Sequence, residues 1–230
     1  MRHALIVASM AALLTRGGIG FAAGMDDQVQ NAAAPIAAKL VRGAVNAVTG
    51  IVEWPMQTYK GFARGVGFIK NRPLSAGVGT VLGFFRGIVH AAGRTGSGFT
   101  EVVACWLPNP KSNKGVGIPF DGEYAWDMGT AYDIFKPTLA EGLKPYPRKL
   151  VRGLGNGFGG IVDVPDQIIK GASSDSPVTG ALFGAVKGVW SWMGRGVHGF
   201  SEAILFLTPN PEDHLGYPFE QDWFWDDIHQ

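Results

Sequence analysis

Polar positions along this chain form thin lines on otherwise apolar helices. In the first such stretch Arg42, Asn46, Thr49 and Glu53 fall at i, i+4, i+7 and i+11, which is one helix face at about 100° per residue. Leu40, Val41, Val45, Val48, Ile51 and Val52 cover the rest of that helix. Pro55 follows, and a proline disfavours helical geometry in the residue before it, so the helix is expected to end or kink there. A second, longer stretch is predicted at about 74–103. There Arg86, His90, Arg94, Ser97 and Glu101 share one narrow stripe, while Val81, Phe84, Phe85, Ile88, Phe99 and Val103 lie opposite.

The same pattern returns further along. Lys149-Leu-Val-Arg152-Gly repeats Lys39-Leu-Val-Arg42-Gly, and from Lys39 to Gly61 13 of 23 positions match Lys149 to Gly171 without a gap. Arg152, Asn156 and Asp163 repeat the polar face, and Pro165 repeats the breaker. A second long stretch, about 178–205, carries Lys187, Ser191, Arg195, His198 and Glu202 as its stripe. Each long helix bears glycines at every fourth position: Gly79, Gly83 and Gly87, then Gly180, Gly184 and Gly188. Gly costs about 1 kcal/mol against Ala in an exposed helix interior. Its repetition at period four therefore predicts close approach of a second helix. Each unit closes on Pro-Asn-Pro, at Pro108–Pro110 and Pro209–Pro211, followed by a segment ending in Tyr124–Asp127 or Trp223–Asp226.

A unit this long repeated in tandem is a supersecondary module. The expected fold is all-α, two tandem glycine-rich amphipathic helical hairpins. The units span 39–127 and 149–227, joined by a Pro-containing linker at 128–148. Residues 25–38 form a lead-in. Residues 1–24 read as a secretory signal peptide: a short basic start, an apolar run over Ala4–Leu14, and small residues at Ala22-Ala23-Gly24. The expected location is outside the cytoplasm.

Composition narrows the function. The formal net charge is +1, so no strong field favours nucleic acid. Gly numbers 34 and charged residues 17%, against a usual quarter charged. With mean hydropathy +0.10, this is not a disordered composition. One cysteine, Cys105, excludes an internal disulfide framework. Gly155-x-Gly157-x-x-Gly160 matches a dinucleotide fingerprint by letter only, because no strand precedes it. The histidines lack metal-ligand spacing, and His90 and His198 read as solvated or hydrogen-bonded members of the stripes. No cofactor, metal or catalytic constellation is expected, and so no enzymatic activity. Glu53 and Arg42 stand three turns apart and cannot pair directly, nor can Asp163 and Arg152. They are expected to bridge to Arg94 and Glu101, and to Arg195 and Glu202, on the neighbouring helix.

Two settings fit the stripes. The hairpins lie in or dip into a membrane leaflet, or they form a soluble four-helix module with the stripes facing water. Trp223 and Trp225, in an acidic C-terminal segment without Lys or Arg, either pack back on their own hairpin or contact a carbohydrate, peptide or membrane interface. The expected partners are a membrane surface or envelope proteins. Polysaccharide and further copies of the chain are secondary candidates.

The motif K-L-V-R-G-x-x-N-x-x-T/G-G-I-V-E/D-x-P, followed by a Gly-rich helix and a P-x-P close, resembles the exosortase system-associated protein family. The resemblance covers both repeats. It implies a small bacterial protein with a signal peptide, resident in the periplasm or envelope membrane, an accessory beside exosortase sorting machinery and exopolysaccharide production. It implies no catalytic residue. The tail Asp226–Gln230 lacks the apolar span and basic end expected of a sorted substrate.

Overall fold

The computed structural model describes residues 27–113, 115–120, 122–127 and 144–219. The signal segment, most of the 128–148 linker, and Trp223 and Trp225 lie outside them. The fold is all-α, with no strand among the described residues. Helix α1 (Asp27–Thr49) runs through a 3-10 turn (Gly50–Val52) into α2 (Glu53–Arg64), and α3 (Arg72–Val103) returns along both. Helix α4 (Pro145–Gly159), a 3-10 turn (Gly160–Val162) and α5 (Asp163–Ala172) are packed in the same way by α6 (Pro177–Ile204). The lead-in is thus largely the first half of α1. Pro145 and Pro147, read as linker, lie in the first turn of α4, where a missing N–H costs nothing.

The breaks sit one turn upstream of the prolines rather than next to them. Pro55 and Pro165 lie inside the first turns of α2 and α5. Proline cannot donate to the carbonyl four residues back, which here belongs to Ile51 or Ile161. The chain tightens into a 3-10 turn at those two residues. Gln57–Lys60 and Gln167–Lys170 continue as helix beyond the prolines.

The glycines decide how closely the helices approach. A Cβ at Gly87 would stand 2.7 Å from Trp54 Cα, and one at Gly188 would stand 2.7 Å from Val164 Cα. At Gly79, Gly83, Gly180 and Gly184 it would collide with the backbone carbonyls of Gly61, Gln57, Gly171 and Gln167. Nearer the base, Gly43 meets Gly98 and Gly153 meets Gly199 in the same manner.

With backbones in contact, little room remains between the helices for large apolar side chains. Among the described residues, twenty-one polar or charged side chains are buried, against six apolar ones apart from glycine and proline. Those six, Val66, Ala104, Leu107, Val116, Ala125 and Phe219, all lie outside the helices. Large apolar residues point outward: Phe85, Ile88, Phe99, Phe183, Val186 and Ile204 are exposed, with 27 others among the described residues. Stripes facing water are therefore not what is observed. The stripes face inward from His90 to Glu101 and from Arg195 to Glu202, while Arg86 is half-buried and Lys187, placed in the second stripe by its spacing, is exposed; the apolar faces look out.

The two halves meet at the C-terminal ends of α3 and α6, which pass each other antiparallel. Thr100 Oγ1 and Ser201 Oγ lie 2.8 Å apart, Gly93 packs on Pro209, and Gly194 packs on Pro108. The Pro-Asn-Pro segments are exchanged between halves. Asn109 N donates to Tyr217 O at 2.9 Å and Asn109 O accepts from Phe219 N at 2.8 Å; Asn210 does the same with Ile118 and Phe120.

The glycine contacts give opposite-signed predictions. Gly83→Ala and Gly184→Ala should each destabilise by about 1–3 kcal/mol through overpacking. Gly77 and Gly196 have nothing within 4 Å of an added Cβ, so Gly77→Ala and Gly196→Ala should stabilise by up to about 1 kcal/mol. Thermal unfolding followed by circular dichroism reads both, and a uniform sign across the four would contradict the packing.

Candidate functional site

The only extended arrangement of chemically capable side chains among the described residues is the buried polar ladder between the helices of each half. Its central rungs are ion pairs. Arg94, fully buried on α3, donates from Nε to Glu53 Oε1 at 2.7 Å, and Nη2 stands 2.6 Å from the same oxygen. Asn46 Oδ1 accepts from Arg94 Nη1 at 3.2 Å, and Gln57 Nε2 donates to Glu53 Oε2 at 2.9 Å. In the second half Arg195 Nε donates to both Asp163 oxygens, at 2.8 and 3.1 Å, and its Nη1 reaches Asn156 Oδ1. Phe120 covers the Arg94 guanidinium at 4.2 Å, and Phe219 covers that of Arg195 at 4.5 Å. Such a stacked cation is favoured where water is excluded.

A second pair of rungs lies nearer the base. Arg42 grips Glu101 through Nε and Nη2, and Arg152 grips Glu202 in the same way. Their remaining nitrogens reach across to the opposite half. Arg42 Nη1 donates to Asp213 O at 3.1 Å, and Arg152 Nη1 donates to Ser112 O at 3.1 Å. The four pairs expected from the sequence are therefore those that form. Arg's planar fork suits such sites because it serves a carboxylate and a carbonyl at once.

Several members carried no expectation. Lys39 Nζ donates to Ala104 O at 2.7 Å, Leu107 O at 3.0 Å and Asn109 Oδ1 at 2.6 Å. Lys149 Nζ donates to Leu205 O at 2.7 Å and Thr208 O at 2.8 Å. Each lysine thus closes the C-terminal end of its long helix, where carbonyls are left without intrahelical donors. Their signal was present, because both open the repeated Lys-Leu-Val-Arg-Gly and both reach the turn leading into Pro-Asn-Pro. His90 is buried beside Glu53 and accepts from Arg86 Nε at 3.1 Å, so it is hydrogen-bonded and not solvated. His198 is buried too, with Nε2 3.3 Å from Lys39 Nζ.

Where the halves meet, a cavity of about 40 Å³ is lined by Thr100, Glu101, His198, Ser201, Glu202 and His214. That volume suits a few water molecules and is too small for an organic substrate. Arg94 and Arg195 do not line it. His214 Nε2 is enclosed without a hydrogen-bond partner among the described residues. No group of three or more His, Cys, Asp or Glu among the described residues is placed to hold a metal ion.

Fold and site together define a class: an all-α protein with a charged ladder inside and an apolar shell outside. No family model matches the chain, and no curated protein or solved structure resembles it.

Breaking one rung should be costly. Glu53→Leu leaves the Arg94 guanidinium buried without its carboxylate and should cost about 3–5 kcal/mol, with much of that recovered in Glu53→Leu/Arg94→Met. A double-mutant cycle on unfolding measures the coupling, and additive losses would sink it. His214 adds a pH dependence. Burial first, then the charges of Arg152, Arg42, Lys39 and Lys149, hold its imidazole well below the ordinary 6.5. Folding therefore favours the neutral ring. Its contribution is complete above the unfolded pKa and falls by up to about 1.4 kcal/mol per pH unit below it. Wild-type melting temperature should drop more than that of His214→Gln between pH 7.5 and 5.5, and equal drops would refute the assignment.

Proposed function

We propose that this chain is a non-enzymatic structural or interaction protein of the bacterial envelope. In this reading it is built by duplication as two glycine-rich helical hairpins and held in lipid by their apolar faces. The carrying observation is the inverted distribution of side chains. Ion pairs and amides lie between the helices, and aromatic and branched residues lie outside. In water each large apolar side chain left uncovered forgoes about 1.5–3 kcal/mol, so an exterior of this kind needs a cover. Lipid supplies one without further partners. In lipid, helices associate through small residues that bring backbones together, and ionisable side chains face the bundle interior. Both describe the ladder of these hairpins, with the charges at the tips and Lys187 on α6 left outside it.

In the first half, length and hydropathy agree with the reading. Ala33–Arg64 and Arg72–Val103 are long and apolar enough to cross a membrane, at mean hydropathy 1.2 and 1.3, with only 28% of each window buried. The core helix of a soluble protein passes the same test, but as a mostly buried element. The 32 residues of α3 extend about 48 Å, beyond a hydrocarbon core of about 30 Å. Its ends therefore reach the headgroups or the helix lies tilted. The resemblance to exosortase system-associated proteins favours an accessory role near exopolysaccharide-linked protein sorting, with an export signal at residues 1–24.

The test is flotation of the full chain with neutral and anionic liposomes, followed by high-salt and alkaline washes. Retention through both washes is the expected result. Protein left at the bottom of the gradient would overturn the lipid setting, and a large soluble assembly would then identify further copies as the cover.

A further inference from the structure

The two halves share their interior but not their tips. In the first, Gly79 follows Gly61, its contact partner across the hairpin, by 18 residues; in the second, Gly180 follows Gly171 by only 9. The extra residues carry Phe68, Lys70 and Arg72. All three are exposed, as are Tyr59, Phe62, Arg64 and Leu74 around them. No Asp or Glu occurs from Trp54 to Thr100, while Lys and Arg occur there six times. The second tip is a run of Ser173, Ser174, Asp175 and Ser176, with Asp166 paired to Lys170 at 2.9 Å. Its position equivalent to Arg64 is Ser174.

Arg72 is fixed at the tip. Arg72 Nη2 donates to Ala63 O at 2.6 Å and Nη1 to Arg64 O at 3.2 Å, which places its guanidinium at the end of α2 beside Arg64. The positive end of α3 begins at the same residue and adds to the field. Next to this cluster, on the outer face, an apolar groove of about 600 Å³ is walled by Trp54, Tyr59, Phe62, Thr80 and Phe84. Trp54 and Phe84 meet edge to face with ring centroids 5.2 Å apart. The equivalent positions of the second half are Val164, Ile169, Ala172, Ala181 and Ala185, so the aromatic walls belong to the first half alone.

We infer that the first tip is a docking site for an anionic membrane phospholipid. The phosphate lies on Arg64, Lys70 and Arg72, and one acyl chain lies in the Trp54–Phe62–Phe84 groove. Charge complementarity selects the occupant. Exposed cations, on a tip whose own sequence carries no carboxylate, accompany an open groove walled by apolar side chains. Arg retains donors for a phosphate after its two carbonyl contacts are made. The second tip, short and seryl, has no such preference. The molecule is thus anchored by one end to the anionic headgroup layer.

This inference rests on the lipid setting proposed above, and one experiment separates the two. The full chain is mixed with vesicles of phosphatidylcholine alone and with vesicles also containing phosphatidylglycerol, and partitioning is measured for wild type, Arg64→Gln/Lys70→Gln, Phe62→Ala/Phe84→Ala and Lys170→Gln. Circular dichroism checks that helicity is kept. Wild type should prefer the anionic vesicles. The Arg64/Lys70 variant should lose roughly twenty- to thirtyfold of that preference, at about fivefold per charge. Phe62→Ala/Phe84→Ala should weaken partitioning to both vesicles, and Lys170→Gln should behave as wild type. Equal partitioning of wild type into both vesicles would overturn the docking site and leave the lipid setting intact. Absence from both would overturn the setting itself. Suppression of the preference by millimolar inorganic phosphate, or its survival in Arg64→Gln/Lys70→Gln, would also overturn the phospholipid assignment.

Discussion

The arginine–carboxylate pairs between the helices are what the rest of the structure has to accommodate. Removing such charges from water costs several kcal/mol per ion, and mutual attraction repays this only when every remaining donor is met. Each guanidinium here is met. Arg94 spends its nitrogens on Glu53, Asn46 and the carbonyls of Gly122 and Glu123. Arg42 and Arg152 spend theirs on Glu101 and Glu202 and on backbone of the opposite half. These last contacts make the pairs more than struts within a hairpin, because neither half can complete its own ladder alone.

Pairing of this kind demands close, rigid walls, and the glycines provide them. A methyl group at Gly83 or Gly184 would meet a carbonyl of the facing helix, so the helices lie nearer than ordinary side chains permit. The consequence is geometric. The volume a conventional core would fill with Leu and Phe does not exist between these helices, and those residues are displaced to the outside. The inward charge and outward hydrocarbon are thus two results of one spacing. The stabilisation that apolar burial normally supplies must come from whatever surrounds the shell.

The near-equivalence of the two ladders contrasts with the difference between the tips. Interior positions in the two halves answer to the same pairing rules, so the same residue types recur at Arg42 and Arg152, Asn46 and Asn156, Arg94 and Arg195. The tips make no rung. They are free to diverge, and they have, in length, charge and aromatic content.

Much of the ladder was legible in the sequence. Helical periodicity placed Arg42, Asn46 and Glu53 on one face, the repeat placed Arg152, Asn156 and Asp163 beside them, and the impossibility of pairing across three turns sent each charge to the neighbouring helix. Glycine at every fourth position marked the contact line. Period alone, however, says only that two faces differ, and a polar stripe facing water has the same moment as one facing inward. Direction was decided by the approach of backbone to backbone, which left room for ion pairs and none for phenylalanine. The lysines at the helix ends, the turns upstream of Pro55 and Pro165, and the exchange of Pro-Asn-Pro between halves likewise depended on tertiary structure. Each is set by carbonyls and donors that residues far apart in the chain bring together, and no local pattern records which of them will meet.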